Sequence, residues 1–116
     1  MTARNAIAEA DKLRPNAIGE EVKAGWLRDL DMELAETMQV TPPEDKWPED
    51  QDLLMPEPAA QVYVYWLCAM IDWAQQDMEQ YQIDQVMYDS ARAQAAAWWR
   101  RTHRPRVNMD GSRWMP

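Results

Sequence analysis

Hydrophobic and polar positions along this chain form four helical patterns, interrupted by one long stretch with no pattern. Residues 3–13 read as a short helix that Pro15 stops, since proline cannot continue a helix. From Gly19 to Met38 the apolar residues Val22, Trp26, Leu27, Leu30, Leu34 and Met38 recur at spacings of three and four, predicting a longer helix with a single stripe. Glu20 and Glu21 fall in its first turn, where negative charge suits the positive end of the helix dipole. Between Gln39 and Pro58 the periodicity collapses around Pro42, Pro43, Pro48, Pro56 and Pro58. Leu53, Leu54 and Met55 are expected to pin this connection back onto the core.

The stretch from Ala59 to Glu79 permits two readings. Val62-Tyr63-Val64-Tyr65-Trp66 has strand propensity, because β-branched and aromatic side chains favour a pleated surface. No glycine interrupts it, however, and Val62, Trp66, Met70 and Trp73 are helically spaced, so a helix is predicted. Between Val62 and Ile71 that helix is apolar on nearly every side and has to be covered on most of them. A small helical domain supplies few neighbours, so subunit contacts through Tyr63, Trp66, Met70 and Trp73 are expected to cover the remainder. A bend is placed at Gln80 to Asp84. The last helix then runs from about Ile83 to Thr102, with Val86, Met87, Ser90, Ala93, Ala97 and Trp98 facing inward, and Pro105 ends it. These elements predict an all-α fold, a small bundle of about four helices. Residues 1–103 form the helical domain with its loop at 39–58, and residues 104–116 form a C-terminal arm.

Charge changes the picture most at the C-terminal end. Residues 92–116 hold six arginines, no lysine and one acid, a charge of +5; the whole chain is −8, which leaves −13 on residues 1–91. Such asymmetry speaks of partners more than of fold. The arginines follow Trp98 and Trp99 in the run Trp98-Trp99-Arg100-Arg101-Thr102-His103-Arg104-Pro105, and Arg106, Arg113 and Trp114 come after it. Arginine without lysine suits planar recognition of carboxylate or phosphate. Three readings compete: arginines pairing with their own acidic body, a nucleic-acid contact, and docking on an acidic protein with tryptophan anchors. The −13 body repels phosphates, which weakens the second.

Catalytic chemistry finds little purchase. Three glycines cannot build a phosphate-cradling loop, and one histidine with one cysteine does not assemble a zinc site. Asp29, Asp31, Glu33 and Glu36 read as a charged outer face, and Cys68 as a small buried hydrophobe rather than a nucleophile. No catalytic residue, cofactor or metal is predicted. The chain lacks a signal peptide and an apolar run long enough to span a bilayer, so a soluble protein made inside a cell is expected.

One ordered set of segments resembles a known family. Leu13-Arg14-Pro15-Asn16 is followed by Glu20-Glu21-Val22-Lys23 and Trp26-Leu27-Arg28-Asp29-Leu30, then Leu53 through Pro58, Val62 through Asp72, and finally Tyr81 through Tyr88 to Ala97 through Pro105. In this order they are similar to the head–tail connector proteins (head-completion or adaptor proteins) of long-tailed double-stranded DNA phages. Gly19, where such proteins often place a polar N-cap, and the heavy Trp98-Trp99 pair depart from the pattern. The resemblance implies a homo-oligomeric ring, commonly a dodecamer, located in the virion at the head–tail interface after assembly in the host cytoplasm. Its partners would be the phage portal protein and a downstream tail-completion or stopper protein. Double-stranded DNA would pass through the channel without specific binding, and no membrane would be involved. On this reading Trp99, Arg100, Arg101, Arg104, Arg106, Arg113 and Trp114 dock on the portal. Glu44, Trp47 and Asp50 would face the tail side or a neighbouring subunit. The alternative function is a small helical nucleic-acid-binding regulator that uses the same C-terminal arginines.

Overall fold

The computed structural model describes residues 1–41 and 52–103. Among them the fold is all-helical: α1 (Ala3–Leu13), α2 (Glu20–Met38), α3 (Gln61–Ala74) and α4 (Met78–Thr102). The site positions Glu44, Trp47, Asp50, Arg104, Arg106, Arg113 and Trp114 lie outside the described residues, as does the acidic middle of the loop.

Local chemistry accounts for where each helix begins and ends. Thr2 caps α1 by accepting the Asn5 amide hydrogen at 3.1 Å, and Ala3, Ala6, Ile7 and Ala10 form a buried face of small side chains. A face that small lets α1 lie close against α3. Both α2 and α3 end in Schellman closures. Gln39 and Gln76 take left-handed backbone (φ 58° and 60°), with Val40 N–H bonding to the Ala35 carbonyl and Asp77 N–H to that of Asp72. Glycine is the usual occupant of such positions, and glutamine there carries a steric cost of about 1 kcal/mol. Asp77 then caps α4, accepting the Gln80 amide hydrogen at 3.2 Å. The break between the last two helices therefore sits at 75–77, upstream of the bend expected at 80–84, and α4 is 25 residues long.

Helix α3 is the centre of the molecule. Val62, Tyr63, Val64, Leu67, Cys68, Ala69, Ile71 and Asp72 are all buried, enclosed by α1, α2 and α4. Three other helices of the same chain cover most of this helix, so its burial does not by itself call for subunit contacts. Tyr63 is wholly enclosed and takes no part in any surface. Trp66 and Met70 are half-buried, while Trp73 is 57% exposed. Trp66 packs on Tyr88 with ring centroids 5.0 Å apart, and its indole N–H donates to the Trp26 carbonyl at 3.1 Å.

Two helix faces depart from the apolar stripes read from sequence. Leu27, Leu30 and Leu34 of α2 point inward as expected, but Val22 is exposed while Lys23 and Asp31 are buried. On α4 the inward residues are Asp84, Tyr88 and Ala95, with Ala91, Trp98 and Trp99 partly covered. Val86, Met87, Ser90 and Ala93, expected inside, are exposed. The connection returns to the core as expected. Leu53 and Met55 are buried, and Leu53 N–H bonds to the Met1 carbonyl at 2.9 Å beside an isolated bridge between Thr2 and Asp52.

Candidate functional site

At the C-terminal end of α4 the chain concentrates exposed cations and aromatic surface. Trp98 and Trp99 are half-buried along the edge of the core, whereas Arg100, Arg101 and His103 are exposed. The His103 ring stacks on Trp99 at 3.6 Å with the planes 9° apart, and the two indoles are tilted at 6.4 Å. Helix termination produces this arrangement. His103 N–H bonds to the Trp99 carbonyl at 2.9 Å, and the Thr102 hydroxyl turns back to the Trp98 carbonyl at 3.0 Å. The histidine is thereby folded back over the tryptophan it stacks on. Arg100 and Arg101 also lie in the last turn, where cations offset the negative end of the helix dipole. A groove of about 320 Å³ runs beside them, lined by Pro58, Ala59, Gln61, Tyr65, Trp98 and Arg101. Thus Trp99, Arg100 and Arg101 of the predicted docking set share one end of the molecule, far from Trp73 at the other end of α3.

Arg92 behaves differently from its neighbours. It donates to Glu33 at 2.6 Å and to the Tyr88 hydroxyl at 3.0 Å, tying α4 to α2. For this residue the pairing is with the chain's own acidic body.

Three buried polar clusters escaped the sequence reading. In the first, Arg14 grips Asp84 through two bonds, Nε to Oδ2 at 2.8 Å and a terminal nitrogen to Oδ1 at 2.7 Å, and approaches Asp72 at 3.5 Å. Asp72 Oδ2 is buried without a hydrogen-bond partner. Burial, followed by the neighbouring Asp84 carboxylate, raises the Asp72 carboxyl from 3.8 to about 7. Burial also works against Asp84's charge, but the Asp72 proton and the Arg14 guanidinium outweigh it and hold Asp84 below the ordinary value. In the second cluster, Lys23 donates to Asp11 at 2.8 Å and to the Asn16 side chain at 3.1 Å, fixing the turn between α1 and α2. In the third, the Tyr63 hydroxyl donates to Asp31 at 2.6 Å and accepts the Met55 amide hydrogen at 2.7 Å, while Asp31 also accepts that of Leu54 at 3.0 Å. Asp31 thus belongs to the core and not to the outer face assigned to it. The first and third clusters pair residues far apart in sequence, whereas the second joins Lys23 to Asp11 and Asn16 across one turn.

These clusters act as clamps between helices. The Cys68 thiol beside the first is buried and, chiefly by that burial, pushed up to about 11, the opposite of an activated nucleophile. Among the described residues, no group of three or more His, Cys, Asp or Glu could hold a metal ion, and no helix is long and apolar enough to cross a membrane. Comparison with protein families, curated proteins and solved structures gives no match for this chain.

Proposed function

We propose that this chain is a structural adaptor of the phage head–tail junction, a ring component that attaches to the portal, extends the DNA channel and offers a docking surface to the tail. The observation that carries the reading is the end of α4, where exposed Arg100 and Arg101 flank the Trp99–His103 stack. In sequence this end continues into an arm with three further arginines and Trp114. Arginine and tryptophan together at one end of the chain suit the capture of an acidic protein surface. The −13 carried by residues 1–91 suits a wall past which DNA slides without sticking. The acidic loop around Glu44, Trp47 and Asp50 would serve the tail side or a neighbouring subunit.

Mixing the purified chain with phage portal protein, followed by negative-stain imaging, tests this reading. The expected result is a ring coaxial with the portal. Deleting residues 104–116 should abolish the ring while leaving helical circular dichroism intact. Portal capture that survives the deletion would remove the arm from the docking set. Tight binding of random duplex DNA at physiological salt would favour the regulator instead.

A further inference from the structure

The outer face of α4 is apolar and uncovered. Ile83 and Val86 are 54% and 66% exposed, Met87 is exposed beside them, and Ser90, Ala93 and Gln94 continue the face outward. Positions 79, 83, 86, 90, 93, 97 and 101 recur at steps of three and four, so they share one side of the helix. Glu79 opens this stripe and Arg101 closes it, both exposed and equally far in sequence from Ser90.

The two halves of the stripe are unlike. Before Ser90 it is bulky (Ile83, Val86, Met87) and ends on an acid. After Ser90 it is small (exposed Ala93, half-buried Ala97) and ends on a base. We propose that this stripe binds a second copy of the chain, α4 against α4, antiparallel and centred near Ser90. A parallel pair would press bulk on bulk and Glu79 on Glu79. The antiparallel pair seats the bulky half of each helix on the small half of the other, and brings Glu79 to Arg101 twice. A two-fold axis supplies both complementarities at once, as an isologous interface requires. One helix stripe gives a contact at the low end of interface sizes, below about 1,200 Å² in total, so the pair is weak and concentration-dependent.

The inference stands apart from the adaptor reading. An isologous contact closes at two and uses a face that the reading leaves unassigned. The exception is Arg101, which cannot serve a portal and a second α4 together.

Sedimentation velocity of the full chain across a concentration series should show a monomer–dimer equilibrium. Val86→Glu should shift it to monomer with helical circular dichroism unchanged. Glu79→Arg and Arg101→Glu should each weaken the pair about fivefold, and the double swap should restore it. Oxidation should cross-link Ser90→Cys through an interchain disulfide but leave Ile83→Cys uncross-linked. In the antiparallel pair the two copies of position 83 lie roughly 21 Å apart along the axis, beyond the reach of a disulfide. A chain that stays monomeric at every concentration overturns the proposal. So does self-association that Val86→Glu leaves intact, or cross-linking at position 83 as ready as at position 90.

Discussion

Asp84, Tyr88, Ala91, Ala95 and Trp98 form the inner face of α4, while Ile83, Val86, Met87 and Ala93 form the exposed outer face. Judged by hydrophobicity alone the outer face is the better core candidate. The polar anchors decide the orientation. Asp84 meets Arg14, Arg92 meets Glu33 of α2, and the Tyr88 ring meets Trp66. Exposing Asp84 would leave Arg14 without its bidentate partner, whereas exposing Ile83 and Val86 forfeits only transfer energy of about 1.5–3 kcal/mol each. In a bundle this small, a few satisfied ion pairs set the phase of a helix against its apolar stripe.

The widest test of that difference is truncation on either side. Tyr88→Ala should cost about 3–5 kcal/mol in urea unfolding, as expected for a buried aromatic. Val86→Ala should stay within about 0.5 kcal/mol at concentrations where the chain is monomeric. Equal costs on the two faces would contradict the inner–outer assignment. Arg14→Ala removes the anchor itself and should destabilise by about 3–5 kcal/mol, because it leaves Asp84 buried without its partner.

The pH dependence gives a smaller effect with a definite sign. Asp72 binds its proton more tightly in the fold, about 7, than in the unfolded chain, 3.8. The folded state therefore holds the extra proton across that window, and this group's contribution to stability falls as pH rises through it. Asp84, held low, contributes in the opposite sense, and its stabilisation is lost only as pH falls through its depressed value. Asp72→Asn keeps a donor for Asp84 and removes the titration. The stability of this variant relative to the parent should rise from pH 4 to pH 7, the window set by those two values, and then level off. A difference independent of pH would mean that Asp72 does not titrate there. Smallest of all, Gln76→Gly should stabilise the α3–α4 turn by about 0.5–1 kcal/mol, since glycine takes the left-handed backbone without strain.

Much of the fold was legible in the sequence. The stop at Pro15, the leucine stripe of α2 and the helical spacing of Val62, Trp66 and Met70 are strong local signals, and each gives an element where one stands. The α3–α4 turn was misplaced because its left-handed residue is glutamine, which carries no turn signature; Asp77 followed by Gln80 was the cap signal available. The inner face of α4 was illegible for a different reason. Its partners, Arg14, Glu33 and Trp66, lie on three other elements, and a buried carboxylate looks like a surface one until its cation is located. Of the candidate docking site, the sequence supplied the arginines and tryptophans but not the folding of His103 back over Trp99.

The functional reading turns on whether the exposed end of α4 touches the portal. Portal capture by the Arg100→Glu/Arg101→Glu variant, followed by co-sedimentation beside the parent chain, measures this directly. The account predicts loss of capture with helical circular dichroism unchanged. Capture at the parental level would contradict it.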